Sequence, residues 1–319
     1  MSMFSQLKSR LFGCFYTIFT PFNADDSVDY ENLEKYLKLL YSQGARLFYV
    51  MAYNSRYSQL MHSEILELNA FCIKILKDLN LDNIVIVGDP IHCSTRETIE
   101  FTQHAKDLGG DLVSLIVREK YFSDDQILDH YADVGRATGM PILVHEMPFL
   151  SGMDGSQIHW PKSLIHSLVD VSEIIALKED SKNFELTCRA LELEPRIRII
   201  IAGTKESFLP FREYGARAYL NGISMIDARI GELFWGAYES DDKKTLDFII
   251  NKLEKPFFSE CVAKYGWHRT NKALLQAAGH MHRRDRMPLK HLSDEEFVLV
   301  QTVYGQIEQA WNTELRNIP

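Results

Sequence analysis

Eight short apolar runs recur along the first 222 residues of the chain, with amphipathic stretches between them. The runs begin near residues 14, 46, 83, 112, 141, 173, 198 and 217, and most are rich in β-branched or aromatic residues, as in NIVIVG and RLFYVM. Between the runs, apolar residues recur at helical spacing, as Leu33, Leu37 and Leu40 do within residues 29–45. Strand and helix patterns that alternate eight times predict a (β/α)8 TIM barrel.

An open doubly wound sheet is the competing architecture. About six strands would suffice for such a sheet, and no GxGxxG segment follows any of the runs. After about residue 225 the strand patterns stop, and the remaining apolar residues recur at helical spacing. We therefore predict an N-terminal lead-in at residues 1–12, a barrel at 13–235 and a small helical C-terminal extension at 236–319.

Composition narrows the class of protein. The chain of 319 residues has a formal net charge of −9, which argues against a nucleic-acid partner because phosphate recognition needs clustered Lys and Arg side chains. No window approaches the length of apolar sequence that spans a membrane, and the first residues lack the apolar core and cleavage site of a signal peptide. We expect a cytoplasmic protein without a membrane partner.

Cysteine and histidine patterns do not predict a metal site. Five cysteines, far apart and without a CxxC pair, are typical of reduced core thiols rather than of a disulfide framework or a structural zinc site. Histidines two residues apart near a helix end do not share one face of the helix. We therefore expect surface positions for the four histidines of the C-terminal segment, His268, His280, His282 and His291.

Candidate chemistry lies where the predicted strands end. A parallel barrel brings the carboxyl ends of its strands to one rim, where barrel enzymes carry their active sites. Lys178 closes the sixth apolar run and His145 closes the fifth, whereas Tyr53, Asn54 and Ser55 follow the second. We expect these side chains to lie on the same rim.

Three interpretations of Lys178 are open from the residues alone: a surface lysine, half of an ion pair, or a nucleophilic amine. A lysine at the mouth of an apolar barrel loses hydration, which favours the neutral amine and allows attack on a carbonyl carbon. Neighbouring residues in a strand point to opposite sides. If Lys178 points inward, its ion-pair partner is therefore Asp180 rather than Glu179.

Several motifs together resemble those of the dihydrodipicolinate synthase and N-acetylneuraminate lyase family. They are TPF from residue 20, HSE after the strand-two loop, STRETIE, PILVHEMPFLSG, IIALKEDS, GTKESFLPFREYGARAYLNGIS, and NKALLQAAG with RMPLKHLSDEE near the C-terminus. The resemblance covers about residues 13–300. It implies a TIM barrel with a helical extension, usually tetrameric, whose strand-six lysine, here Lys178, forms an imine with a 2-keto acid and needs no metal or organic cofactor.

Two departures change the site that the resemblance implies. Most members have a proton-relaying tyrosine in a YNxP pattern, whereas this chain has HEMP, so His145 stands in place of the tyrosine. An imidazole can also move a proton near neutral pH, and it could equally only pack at the strand end. The strand-two loop, usually GTTGE or GSTGE, reads AYNSR, so carboxylate binding must differ from that of the family or be lost. If it is kept, Asn54 and Ser55 would hold the carboxylate, and Tyr53 is the alternative to His145 as the proton relay.

The resemblance also indicates residues that set specificity. Dihydrodipicolinate synthases usually carry an arginine two residues after the strand-five proline, whereas this chain has Leu150, as in the PALSG pattern of sugar-acid lyases. We therefore do not expect dihydrodipicolinate synthase activity, because no bidentate cation faces a second substrate carboxylate. Tyr121 lies near a family tyrosine that reaches into a neighbouring subunit, and Gly203, Gly222 and Ile223 match stretches that line and close the substrate site.

Two functions are compatible with these residues. The leading hypothesis is a Schiff-base-forming lyase, aldolase or dehydratase that acts on a 2-keto acid of the pyruvate or sugar-acid type as a homotetramer or homodimer. The alternative is a catalytically silent homologue with a binding or regulatory role. Loss of the GTTGE loop and of the tyrosine favours the alternative, and the presence of Lys178 disfavours it.

Overall fold

Eight parallel strands close into a barrel in the computed structural model, which describes residues 3–91, 93–116, 122–147 and 159–315. Each strand pairs with the next in sequence, and the eighth pairs with the first. The predicted (β/α)8 TIM barrel is confirmed, with one strand at each apolar run. The strands are β1 (Gly13–Thr17), β2 (Leu47–Tyr49), β3 (Ile84–Gly88), β4 (Leu112–Leu115), β5 (Ile142–His145), β6 (Ile174–Glu179), β7 (Arg198–Ile201) and β8 (Ala218–Leu220).

Helices separate the strands and make up the C-terminal part of the chain. The α-helices are α1 (Met3–Arg10), α2 (Tyr30–Ser42), α3 (His62–Leu79), α4 (Thr95–Asp107), α5 (Asp124–Thr138), α6 (Lys162–Ser167), α7 (Phe184–Leu191), α8 (Lys205–Phe208), α9 (Ala228–Ser240), α10 (Lys243–Phe248), α11 (Ala263–Tyr265), α12 (Trp267–Ala277) and α13 (Asp294–Leu315). Short 3₁₀ helices span Tyr53–Ser55, Tyr57–Gln59, Leu168–Asp170, Leu209–Tyr214 and Gly222–Met225. Two π-helical segments, Ile249–Glu254 and Phe257–Val262, lie between α10 and α11.

Helix α2 shows how local sequence fixes these boundaries. The side chain of Asp29 accepts a hydrogen bond from the backbone N–H of Asn32 and so caps the first turn. Gly44, just after the helix, has a φ of +109°, which a residue with a side chain adopts only with strain. The predicted apolar face is buried, as Leu33 and Leu37 show.

Alternation along the strands fills the barrel interior and places the site residues. Leu143 of β5 and Ala176 of β6 belong to the buried cluster inside the barrel. Successive strand residues point to opposite sides. The residues two positions further on, His145 and Lys178, therefore lie on the same inward side at the carboxyl ends of their strands.

The chain divides into two compact units. The first comprises Met1–Thr17, Arg46–Gly203 and Ser207–Leu220, and the second comprises Ile18–Ala45, Thr204–Glu206 and Asn221–Pro319. All eight strands belong to the first unit, and α2 and α9–α13 belong to the second. The domain boundaries at residues 12 and 235 stay a prediction.

The histidines of the C-terminal segment lie only in part at the surface, where the sequence predicted all four. His268 is only 6% exposed, and its Nε2 lies 3.2 Å from Asp285 Oδ1, so the predicted surface position is wrong because this carboxylate compensates the buried ring. His280 and His282 are half-buried, and His291 is exposed. The five cysteines are free, but two, Cys93 and Cys188, are only partly buried rather than core residues. None of the helices among the described residues is long and apolar enough to cross a membrane.

Candidate active site

Lys178 is a buried lysine at the carboxyl end of β6. Its side chain is 4% exposed, which rules out the surface interpretation. The Nζ atom lies 2.9 Å from Asp180 Oδ2 and 2.6 Å from His145 Nε2. Burial lowers the pKa of Lys178 below that of an ordinary lysine, although the Asp180 carboxylate acts in the opposite direction. The amine is therefore closer to its neutral, nucleophilic form than a solvated lysine.

Asp180 is the partner that strand alternation indicated, and it is shared between two cations. Its Oδ1 contacts the Lys182 ammonium at 2.5 Å, while its Oδ2 contacts Lys178. Burial alone would raise the pKa of Asp180, but Lys178 and Lys182 together hold it below the usual value. The carboxylate thus stays ionised, and only part of its charge stabilises the Lys178 ammonium.

His145 joins Lys178 to two polar groups from other strands. The register of β5 and β6 sets His145 directly beside Lys178. His145 Nδ1 lies 3.2 Å from the Tyr49 hydroxyl of β2, which in turn lies 2.5 Å from Ser114 Oγ of β4. Burial raises the pKa of the Tyr49 phenol, so it keeps its proton. Four strands thus contribute to one buried hydrogen-bonded chain.

Two further carboxyl groups, those of Glu179 and Glu146, lie beside this series of hydrogen-bonded side chains. Glu179 faces away from Lys178 and accepts hydrogen bonds from the Ser181 N–H at 2.8 Å and the Thr187 hydroxyl at 2.7 Å. Glu146 accepts from the Trp160 N–H at 2.8 Å. Burial raises the pKa of Glu146 to about 7, and nearby Glu179 and Asp180 act in the same direction. Glu146 can therefore gain or lose a proton near neutral pH.

The strand-two loop forms a short 3₁₀ helix, Tyr53–Ser55, rather than an open cradle. The side-chain amide of Asn54 donates to Thr17 Oγ1 at 2.7 Å, and Ser55 Oγ donates to the Ala52 carbonyl at 2.7 Å. Both side chains are buried. The first contact ties the loop to the end of β1, and the second closes a turn within the loop. A carboxylate-binding role for either residue stays a prediction.

The other predicted site residues fall in three groups. The side chain of Tyr53 and the whole of Tyr121 and Leu150 lie outside the described residues. In the first unit, Gly203 has a φ of +154°, and a Cβ there would lie 2.8 Å from Ser207 Oγ, so a side chain would strain the backbone and displace this hydroxyl. In the second unit, Gly222 has a φ of +52° and begins the 3₁₀ helix in which Ile223 is fully buried.

Sequence reasoning missed four groups at this site: Tyr49, Ser114, Glu146 and Lys182. Tyr49 and Ser114 lie inside apolar runs and look like core residues, because nothing local shows which strands face each other. The alternation rule offered a signal for both, since Tyr49 and Ser114 follow the inward residues Leu47 and Leu112 by two positions.

Comparison with known proteins gives the family. Residues 10–306 of the chain match the profile of the dihydrodipicolinate synthetase family. The chain is 26% identical over 271 residues to the 4-hydroxy-tetrahydrodipicolinate synthase of Bartonella bacilliformis, which covers 81% of this chain and 89% of that protein.

Solved structures share the fold at low sequence identity. The N-acetylneuraminate lyase of Fusobacterium nucleatum superposes with a TM-score of 0.79 at 20% identity, covering 93% of this chain and 99% of that one. A dihydrodipicolinate synthase described as the first monomeric variant superposes with a TM-score of 0.79 at 18% identity, covering 92% and 96%. The fold, the match over nearly the whole length and the motifs agree, and the chain belongs to the dihydrodipicolinate synthetase family.

Proposed function

We propose that the protein is a Schiff-base-forming lyase, of the aldolase or dehydratase type, that acts on a 2-keto acid in the cytoplasm. One observation carries the proposal: the buried Lys178 amine has a lowered pKa and lies 2.6 Å from an imidazole nitrogen that can take its proton. A desolvated amine beside a base is the arrangement that carbonyl attack requires. The chemistry needs neither a metal nor an organic cofactor.

The proposed reaction begins with proton transfer from the Lys178 ammonium to His145 Nε2. The neutral amine then attacks the keto carbon, so a C–N bond forms while the carbonyl π electrons move to oxygen. That oxygen receives the proton from the imidazolium and a second proton from the new ammonium centre. It leaves as water, and the C=N bond forms. The protonated imine then serves as the electron sink when a neighbouring C–C or C–O bond breaks.

The remaining predicted residues take supporting roles in this proposal. Tyr53 would be a second proton carrier, and Asn54 and Ser55 would hold the substrate carboxylate together with the loop N–H groups. The hydrogen bond from Asn54 Nδ2 to Thr17 Oγ1 fixes the position of this amide at the end of β1. Gly203, Gly222, Ile223 and Tyr121 would line the substrate space, as their places in the family motifs indicate.

The substrate we propose is of the pyruvate or sugar-acid type, and the protein is not a dihydrodipicolinate synthase. Leu150 offers no cation where such enzymes usually carry an arginine, so a substrate with a second carboxylate has no bidentate partner. The AYNSR loop also lacks the two glycines that let the backbone approach a keto-acid carboxylate.

A catalytically silent homologue is the second candidate, and one observation favours it. Lys178 pairs with Asp180 inside the protein, and such buried pairs also occur as purely structural elements. The imidazole nitrogen 2.6 Å from Lys178 Nζ supports the enzyme instead, because an ion pair that served only structure needs no base beside the ammonium.

Imine trapping separates the two functions. Incubation with pyruvate or a longer keto sugar acid and then with borohydride is expected to add mass only to the peptide that contains IIALKEDSK. Lys178→Ala should abolish the adduct, and it keeps Asp180 paired because Lys182 remains in contact. Lys162→Ala, at a lysine that is 52% exposed, is the control expected to label normally. Lys205 is unsuitable, because it is fully buried against Glu254.

Two outcomes would change the proposal. If no keto acid of a broad panel labels Lys178, the enzyme is excluded and the silent homologue takes its place. If pyruvate and aspartate semialdehyde condense at a substantial rate, the protein is a dihydrodipicolinate synthase and the argument from Leu150 is wrong.

A further inference from the structure

When Lys178 is an ammonium paired with Asp180, the hydrogen bonds of the buried series Lys178–His145–Tyr49–Ser114 run in one direction. An ammonium group has only donors, so at 2.6 Å the His145 Nε2 accepts from the Lys178 ammonium. A neutral imidazole carries one N–H, which is then at Nδ1. That N–H donates to the Tyr49 oxygen at 3.2 Å, and the Tyr49 proton is left to donate to Ser114 Oγ at 2.5 Å.

We propose that Tyr49 and Ser114 are positioning residues that hold His145 in the Nδ1–H tautomer, so that Nε2 faces Lys178 as a base. Neither residue touches the reacting atoms in this scheme. The inference rests on the proposed function for its catalytic meaning, whereas the tautomer itself is a property of the unliganded protein.

The Tyr49 hydroxyl can play this part because of where it lies. It is fully buried, and its described hydrogen bonds are those to Ser114 and His145. A phenol that keeps its proton cannot compete with Nε2 as a base, but its oxygen can accept from Nδ1–H before and after the imidazole takes a second proton. The proton transfer from Lys178 therefore requires no rearrangement of Tyr49.

Ser114 determines the direction in which the Tyr49 hydroxyl donates its hydrogen bond. When Ser114 Oγ accepts the hydrogen bond from the Tyr49 hydroxyl, the lone pairs of the Tyr49 oxygen remain to accept from His145 Nδ1–H. Without that acceptor, the nearest acceptor for the buried phenol proton is Nδ1 itself, because a buried donor left without a partner is costly. The imidazole would then carry its hydrogen on Nε2, where it opposes the ammonium of Lys178.

The test is nitrogen NMR of protein labelled with ¹⁵N-histidine, without ligand, at a pH where the ring carries one proton. The chain has 11 histidines, and the His145 signals are those that disappear in His145→Asn. We expect Nδ1–H in the wild type, Nε2–H in Ser114→Ala and Nδ1–H again in Ser114→Thr, which keeps a hydroxyl. An Nε2–H tautomer in the wild type would overturn the inference, and that measurement needs no substitution at Ser114.

Kinetics complete the test. Ser114→Ala is expected to form the borohydride-trappable imine about 10- to 100-fold more slowly than the wild type, and Ser114→Thr to recover most of the rate. A Ser114→Ala variant that keeps the wild-type tautomer, or that changes tautomer and reacts at the wild-type rate, contradicts the positioning role. If no keto acid labels Lys178, the proposed function fails, and the spectra still decide the tautomer.

Discussion

Lys182 is a single residue through which the pKa of the Lys178 amine can be changed. Its backbone φ is +55°, a left-handed conformation that costs a residue with a side chain about 1 kcal/mol or more, and its ammonium reaches Asp180. The charge of Lys182 lowers the pKa of Lys178 directly. The Lys182 ammonium also pairs with Asp180, so the carboxylate stabilises the Lys178 ammonium less.

We expect Lys182→Met to raise the pKa of Lys178, because Asp180 then interacts with one ammonium alone. Imine formation should need a higher pH, and at neutral pH it should be about two- to fivefold slower, as about 0.5–1 kcal/mol of a half-exposed charge interaction implies. The measurement is the trapping rate as a function of pH. Lys182→Arg keeps the charge and the backbone conformation and should leave the profile in place. A profile that moves to lower pH in Lys182→Met would contradict this account.

At the scale of single residues, the sequence predicts some partners in the site and not others. The pairing of Lys178 with Asp180 could be predicted, because Asp180 directly follows β6 and alternation places it two positions after Lys178 on the same side. The contact of Tyr49 with Ser114 could not, since 65 residues separate them and the register of three strands decides the distance. The ionisation of Glu146 was also beyond the sequence, because it depends on burial.

At the scale of elements, helix α12 is fixed to the segment after β1 by a buried lysine. Lys272 of α12 is fully buried, donates to the Thr20 carbonyl at 2.6 Å and lies over the Phe22 ring at 5.3 Å. Burial lowers the pKa of Lys272 to about 8. A charged lysine in this position costs stability that a neutral amine does not.

This burial predicts how stability depends on pH. Below about pH 8 Lys272 is charged in both folded and unfolded protein, so its cost is constant. Between about pH 8 and 10.5 the folded protein loses the proton first, so the free energy of unfolding should rise with pH, by at most about 3 kcal/mol. Urea denaturation of wild type and Lys272→Met across this range checks it. In the difference between the two proteins other groups cancel, and parallel curves would exclude Lys272 as the cause.

The apolar runs were sufficient to predict all eight strands. A parallel strand that is buried on both faces needs apolar residues at nearly every position, so it appears in the sequence as a short continuous apolar run. The helix pattern of residues 243–266 gave no sign of the two π-helical segments. There the backbone N–H of Lys255 donates to the carbonyl of Ile250, five residues earlier. Pro256, which has no N–H, follows directly, and Glu254 is buried against Lys205. Of these two causes, the contact with Lys205 depends on tertiary packing, whereas Pro256 is a local signal visible in the sequence.

At the scale of the whole molecule, we expect a homodimer or homotetramer. The family resemblance implies a tyrosine supplied by a neighbouring subunit, and Tyr121 lies near its place in the sequence. Light scattering at micromolar concentration measures the mass of the particle in solution, which is compared with the 36.9 kDa of a single chain. A clean monomer, as one structural relative is described to be, would contradict this expectation.

The contact between Tyr49 and His145 also bears on position 145, where the resemblance implies a tyrosine in most members of the family. Both nitrogens of the His145 ring are already in contact, one with Lys178 and one with Tyr49. Replacing either residue alone therefore removes the contact between them. Residues in contact are energetically coupled, so we expect the effects of substitutions at positions 49 and 145 not to be additive.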